Sequence, residues 1–279
     1  MNIYTHVNPD LDAVCSVWAA RTFIPGAAAA KLILRPANWD GEGMKKGDLA
    51  LDLEAGGRGI KGEKASSGIV HSCFAYLLNT YASTEAVLAL ANVGRFVDAQ
   101  DAHGSAYRYL APDLNPLALE TFSSTGLNAV LRALQTSSDN DVFTLLDTIL
   151  DGFLRAGLAR LDAEREADLA ELLPGGKVAI VRNARKFATN GILFETRGVR
   201  VIVYVDGFNL GLTRHSDEPL RMDHPALQAV VSAAGEAESW FAHPAGFLYC
   251  RGSRKSPATS SSGVDPRDLA RAALGLLHG

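Results

Sequence analysis

Thiols are scarce in this chain. Its 279 residues contain three cysteines, Cys15, Cys73 and Cys250, widely separated and without a C-x-x-C pair. That pattern excludes a disulfide framework, a zinc knuckle and a thioredoxin-type motif, and leaves the cysteines as small packing residues. Long apolar runs are missing too. Stretches such as Val201 to Val205 have the length of a strand, whereas a membrane helix needs about 20 such residues. There is no basic excess either: 27 Lys and Arg face 31 Asp and Glu, a net charge of -4, which argues against duplex nucleic acid or an anionic membrane as partner. Met1 to His6 lacks a basic segment leading into an apolar one, so a cytoplasmic location is expected. No G-x-S-x-G elbow and no Walker-type Gly-Lys-Ser/Thr loop occurs, which removes the usual acyl-transfer and ATP-hydrolysis signatures. Gly57-x-Gly59-x-x-Gly62 formally matches a dinucleotide fingerprint, but Glu63 to Gly68 delays the helix that should open inside it.

What is present is an ordinary globular composition, 47% apolar and 21% charged, long enough for two domains. Ile3-Tyr4, Lys31 to Leu34 and Leu49 to Leu53 read as strands, and Leu11 to Phe23 as a helix between the first two. This alternation predicts an α/β fold whose first lobe has a parallel sheet. Helical patterns follow at Ile69 to Tyr81, Thr84 to Val97, Leu117 to Leu134 and Val142 to Ala163. Leu172-Leu173-Pro174-Gly175-Gly176 is the clearest punctuation. The expected division is residues 1–165, a linker at 166–174, and a smaller mixed α/β lobe at 175–279. In that second lobe, strands are predicted at Val178 to Val181, Gly191 to Glu195, Val199 to Val205 and Phe247 to Cys250. Helices are predicted near Pro225 to Ala233 and from Asp265, which can cap, with Pro266 in the first turn. Thr259 to Gly263 reads as a mobile loop.

The chemistry gathers at the strand ends of the first lobe, where open α/β sheets place their sites. His6, Asp10 and Asp12 lie in the turn between the first strand and helix. Asp52 closes another strand, and Asp98 and Asp101 end a helical segment. An imidazole among carboxylates suits Mn²⁺ or Mg²⁺, one or two ions, better than thiolate-loving metals. Two such ions about 3.5 to 4 Å apart clamp a phosphoryl group and activate water. Asp10 can equally be a helix cap, and Asp98 and Asp101 stand as alternatives. Gly56 to Gly62 is a glycine turn carrying Lys61, whose charge could replace that of a cation.

His6-x-Asn8-Pro9-Asp10-x-Asp12-Ala13 resembles the first motif of DHH-family phosphoesterases, which include manganese-dependent pyrophosphatases, exopolyphosphatases and single-strand exonucleases. Asp52 resembles the second motif, and Asp98 or Asp101 the fourth. The third, Asp-His-His, is absent from the chain, and Gly59 to Gly68 stands in its place. His71 follows, on what reads as a helix, as a half-buried packing residue. The resemblance implies metals on the first lobe and a substrate-binding cap as the second. There, Cys250-Arg251-Gly252-Ser253-Arg254-Lys255 is similar to the phosphate-holding stretch of family pyrophosphatases. Arg251, Ser253, Arg254 and Lys255 are its expected substrate contacts, with His243 nearby.

The function expected is a metal-dependent phosphoesterase or pyrophosphatase-like hydrolase acting on a small phosphorylated compound or short nucleotide in the interlobe cleft. The alternative is a catalytically inactive protein of that kind which binds such a ligand. The sequence leaves a homodimer open.

Overall fold

A computed structural model describes residues 1–64, 70–135, 139–182, 186–253 and 255–278. The chain divides into two compact units, Met1–Leu158 and Ala159–Gly279.

In the first unit, Ile3, Tyr4 and Thr5 are buried along β1 (Asn2–His6). Polar Asn8, at φ 52°, turns the chain into α1 (Leu11–Phe23). α1 is buried on nearly every side from Leu11 to Ala20, as a helix sandwiched between a sheet and other helices must be. β2 (Lys31–Arg35) and β3 (Leu49–Ala50) flank β1, both parallel to it, in the order β2-β1-β3. The predicted parallel sheet is therefore present. β4 (Glu63–Lys64) and β5 (Val70–His71) form a small antiparallel pair.

Helices complete this unit: α2 (Cys73–Tyr81), α3 (Thr84–Ala89), α4 (Ala91–His103), α5 (Ala106–Leu110), α6 (Pro116–Thr125), α7 (Leu127–Gln135) and the long α8 (Asp139–Asp168). Three of these differ from expectation. The helix predicted over Thr84 to Val97 is two, α3 and α4, divided at Leu90 (φ -99°, ψ 5°), and the second runs on to His103. The helix predicted from Ile69 begins only at Cys73, because the Ser72 side chain caps it by accepting from the Ala75 N–H; Ile69 itself lies outside the described residues. The single helix predicted over Leu117 to Leu134 breaks at Gly126, where a Cβ would collide with the Tyr107 hydroxyl and lie 2.6 Å from the Phe122 carbonyl oxygen. Trp18, Phe74, Leu146 and Leu150 anchor the core.

α8 continues to Asp168, so the division into units falls inside it. In the second unit β6 (Glu171–Leu172), β7 (Val178–Arg182), β8 (Val201–Asp206), β9 (Asn209–Arg214), β10 (Phe241–Ala242) and β11 (Leu248–Arg251) form one sheet, ordered β10-β11-β9-β8-β7-β6. Only β7 and β8 pair in parallel. Both faces of β7 are covered: Val178 and Ile180 join one core and Ala179 and Val181 another. That explains its unbroken apolar run.

The strand expected at Gly191 to Glu195 is instead helical, α9 (Lys186–Gly191) running on as a π-turn over Ile192–Thr196. Parallel β7 and β8 need a crossover, and Leu193, fully buried, packs this one onto the sheet. A short apolar run does not distinguish strand from buried helix by period alone. α10 (Pro225–Ala233) and α11 (Pro266–His278) lie where expected. The predicted mobile loop is pinned. Glu236 accepts from the Ser262 hydroxyl at 2.6 Å and the Gly263 N–H at 2.6 Å, and Arg251 donates to the Ser260 carbonyl and hydroxyl. No described helix is long and apolar enough to cross a membrane.

Candidate metal centre

His6 ends β1 with its imidazole mostly buried, Nε2 lying 3.1 Å from an Asp52 carboxylate oxygen and 3.9 Å from one of Asp10. These three residues each offer a ligand atom, and the atoms lie within 4.8 Å of one another. Nδ1 lies 3.0 Å from the Val7 carbonyl. A carbonyl can only accept, so Nδ1 carries the hydrogen and Nε2 is the nitrogen turned toward the carboxylates. The hydrogen bond to Asp52 dominates over burial and, helped by Val7 and Asp10, raises the His6 pKa to about 9. The imidazole is thus protonated at neutral pH.

Asp52 reaches His6 because its backbone is left-handed, φ 52°, just after β3. Aspartate tolerates that region better than most residues, and the Asp52 N–H donates to the Ile60 carbonyl at 2.7 Å. Asp10 caps α1, accepting from the Ala13 N–H at 3.0 Å, yet its side chain stays 57% exposed. Capping and ligation are compatible here, because a carboxylate has about four acceptor positions.

Asp12 is 4% exposed. Its oxygens accept from the N–H groups of Cys73 (2.9 Å) and Phe74 (2.8 Å), and Ser16 donates at 3.3 Å. Burial, with the Asp52 charge, raises its pKa to about 7 against the pull of those two N–H groups. Asp98 lies within α4 and accepts from the Ser72 N–H (2.9 Å) and hydroxyl (2.5 Å), with His71 Nδ1 3.3 Å from its other oxygen. His71 sits on β5, not on a helix, and pairs with a carboxylate. Its position just before the Ser72 cap was the signal for this role.

Asp101, one turn beyond Asp98, has a pKa raised by burial and by Asp52, Asp10 and Asp98, with Lys61 opposing. Asp101 lines a cavity of about 200 Å³ with Asp10, Asp12, Gln100, Asn128 and Arg132, among others. The last two escaped sequence reading, although polar residues four apart on the apolar helix α7 mark one face.

The second-unit candidates have local partners. His243 occupies a turn, its Nδ1 accepting from the Ala245 N–H at 3.1 Å and its ring 4.1 Å from that of Phe247. The Arg251 guanidinium faces Ser260 and Glu236. The Ser253 hydroxyl accepts from the Ser256 N–H at 3.2 Å, and Lys255 is exposed. Arg254 lies outside the described residues. All three cysteines are buried and none is in a disulfide.

No family model matches the chain, and no curated protein does. Several solved structures show weak likeness, among them the following two. One is an uncharacterized protein from Helicobacter pylori, with TM-score 0.24, 12% identity, and coverage of 100% of this chain and 99% of that one. The other is RecJ in complex with Mg²⁺ from Thermus thermophilus, with TM-score 0.30, 12% identity, and coverage of 100% of this chain. The chain spans 50% of that RecJ chain. Scores this low leave the side chains themselves as the basis for function.

Proposed function

We propose that the first unit holds one divalent cation, Mn²⁺ or Mg²⁺, through His6, Asp10 and Asp52, and hydrolyses a phosphoester or phosphoanhydride bond of a small phosphorylated compound. The convergence of one imidazole nitrogen and two carboxylates at adjacent strand ends carries this reading. The donor set fits the ion. Oxygen ligands with one imidazole suit Mn²⁺, and oxygen ligands suit Mg²⁺. The Val7 carbonyl supplies the outer hydrogen bond that fixes a ligating histidine. Bound there, the ion supplies Lewis acidity toward a phosphoryl oxygen and lowers the pKa of water.

The chain's own residues supply the rest. Asp12 ties the start of α2 to α1 and so fixes the wall beside the ligands. Asp101 lies on the cavity wall, and burial and the neighbouring carboxylates raise its pKa, the direction required of a group that passes a proton to a leaving oxygen.

A second reading is ligand binding without turnover. It is favoured by Asp98, whose oxygens face Ser72 and His71 rather than the His6 group, which supports one ion instead of two. Release of phosphate or nucleotide from pyrophosphate, dinucleotides and phosphomonoesters, with added Mn²⁺ or Mg²⁺, separates the two. Hydrolysis predicts metal-dependent turnover that Asp52→Asn lowers by at least ~100-fold, in the range seen when a key electrostatic group is removed. Ligand-induced thermal stabilisation without any turnover would support binding alone.

A further inference from the structure

The glycine turn from Gly56 to Gly62 carries two cations, Arg58 and Lys61, and the fold treats them differently. Arg58 braces the turn, its guanidinium donating to the carbonyls of Gly41 and Met44. Lys61 is exposed, and its ammonium makes no hydrogen bond or ion pair among the described residues.

The backbone fixes where Lys61 stands. Ile60 extends the parallel sheet past β3: its N–H donates to the Ala50 carbonyl at 2.8 Å, its carbonyl accepts from the Asp52 N–H at 2.7 Å, and it bridges Leu51 in parallel. Lys61 follows Ile60 as Asp52 follows Leu51, so the two leave the sheet side by side, on segments about 4.8 Å apart. Asp52 in turn leaves beside His6, 3.1 Å from its Nε2. His6, Asp52 and Lys61 therefore stand in a row across three adjacent strand ends. Glycines clamp the last of them. A Cβ at Gly59 would collide with the Leu53 carbonyl, and one at Gly62, where φ is 86°, with the carbonyl of His71. His71 is the partner of Asp98, so Lys61 is held between the Asp52 strand end and the Asp98 pair. From there its charge reaches the cavity wall, where it draws the pKa of Asp101 down against burial and three carboxylates.

Phosphoryl transfer spreads negative charge over several oxygens, and fixed cations on more than one side of the group stabilise it. One ion at His6, Asp10 and Asp52 meets one side. An ammonium is a compact charge with three donors on a flexible stem, suited to the other.

We infer that Lys61 is a phosphoryl-binding residue of this site: its ammonium donates to a non-bridging oxygen of the group held at the ion, so that one ion and one side chain supply the positive charge of the site. The inference rests on the proposed cation, because the surrounding carboxylates would otherwise repel the group.

The test uses the whole chain with inorganic phosphate as the probe. Electron paramagnetic resonance gives Mn²⁺ affinity and stoichiometry, and calorimetry gives phosphate binding to the Mn²⁺-loaded protein. Wild type should hold one Mn²⁺ and bind phosphate with it. Lys61→Ala should weaken phosphate binding by about tenfold or more, as loss of a charge-assisted hydrogen bond does, without lowering Mn²⁺ affinity, and Lys61→Arg should recover much of the loss. In the metal-free protein the Asp101 carboxyl, followed by carbon NMR, should titrate higher in Lys61→Ala than in wild type, because the charge opposing its rise is gone. Lys61 is exposed, so these variants keep their fold, which thermal melting verifies. Mn²⁺ held normally with equal phosphate affinity in wild type and Lys61→Ala, an unmoved Asp101, or two Mn²⁺ in wild type would each overturn the role of Lys61 and leave a cation site standing. Wild type that fails to hold Mn²⁺ would overturn both.

Discussion

A cation can reach His6 Nε2 only by displacing a proton, and that fixes how its affinity must vary with pH. The imidazole pKa is about 9 because Nε2–H donates to Asp52. Neutral pH lies about two units below that value, and expelling the proton there costs about 2.7 kcal/mol, or ~100-fold in affinity. Mn²⁺ affinity should therefore rise about tenfold per pH unit, ~25-fold between pH 7 and 8.5, with close to one proton released per ion. Without metal the sign reverses. The protonated His6–Asp52 pair stabilises the apo fold fully below pH 6.5, and that contribution is lost as pH rises through about 9. The thermal gap between holo and apo protein should accordingly widen with pH. Calorimetry in buffers of different ionisation enthalpy counts the protons directly. His6→Gln should bind weakly with a flat profile. An affinity for wild type that changes less than ~3-fold between pH 7 and 8.5 would refute the assignment of Nε2 as a ligand.

Asp12→Asn should remove a pH dependence as well. A carboxylic acid with its folded pKa raised from 3.8 to about 7 stabilises the fold fully below pH 3.8 and loses that contribution as pH rises through 7. Urea melts of the apo protein should show wild type losing ~2 to 3 kcal/mol more than the variant between pH 5 and 8; equal slopes would contradict the burial argument. At pH 5 the variant should be no more than ~1 to 3 kcal/mol less stable, the cost of one N–H at the start of α2 left poorly satisfied. Gly157→Ala sets two effects against each other. Helix propensity favours alanine by about 1 kcal/mol, but the added Cβ would collide with the backbone carbonyl of Ala89. Overpacking costs about 1 to 3 kcal/mol, so a lower melting temperature is expected, and a higher one would mean that α8 shifts freely.

The elements legible in the sequence are those with chemical end signals. α1 starts after Asp10, α10 at Pro225 after His224 and α11 at Pro266, each where a cap or a first-turn proline stands. β9 had a signal that went unread: Asp206 and Asn209 pair across a two-residue loop opened by Gly207, at φ 62°. Such a loop with glycine first marks a tight hairpin. The break at Gly126 and the helical Ile192–Thr196 were not legible, because tertiary partners decide them: Tyr107 for one and the β7-to-β8 crossover for the other. The same holds for Arg132, which becomes a cavity residue only because α7 lies beside α4 and the start of α1.

The sequence suggests His6 with Asp10, Asp12, Asp52 and either Asp98 or Asp101 around one or two ions, but spacing does not reveal what each oxygen already accepts. Asp12 and Asp98 approach the start of α2 from α1 and α4, one receiving the N–H groups of Cys73 and Phe74, the other the N–H and hydroxyl of Ser72. The first turn of a helix carries unpaired N–H groups and the positive end of the dipole. Two carboxylates converging on it satisfy those donors, and the helix offsets part of their mutual repulsion. Asp10 meets only one N–H, that of Ala13 at the start of α1, and Asp52 meets no helix end; the cation beside both is protonated His6, through a proton that a divalent ion can replace. Apart from Asp101 on the cavity wall, the acidic cluster thus separates into a pair that anchors α2 and a pair still short of positive charge, and the second pair is the one that the proposed cation would join.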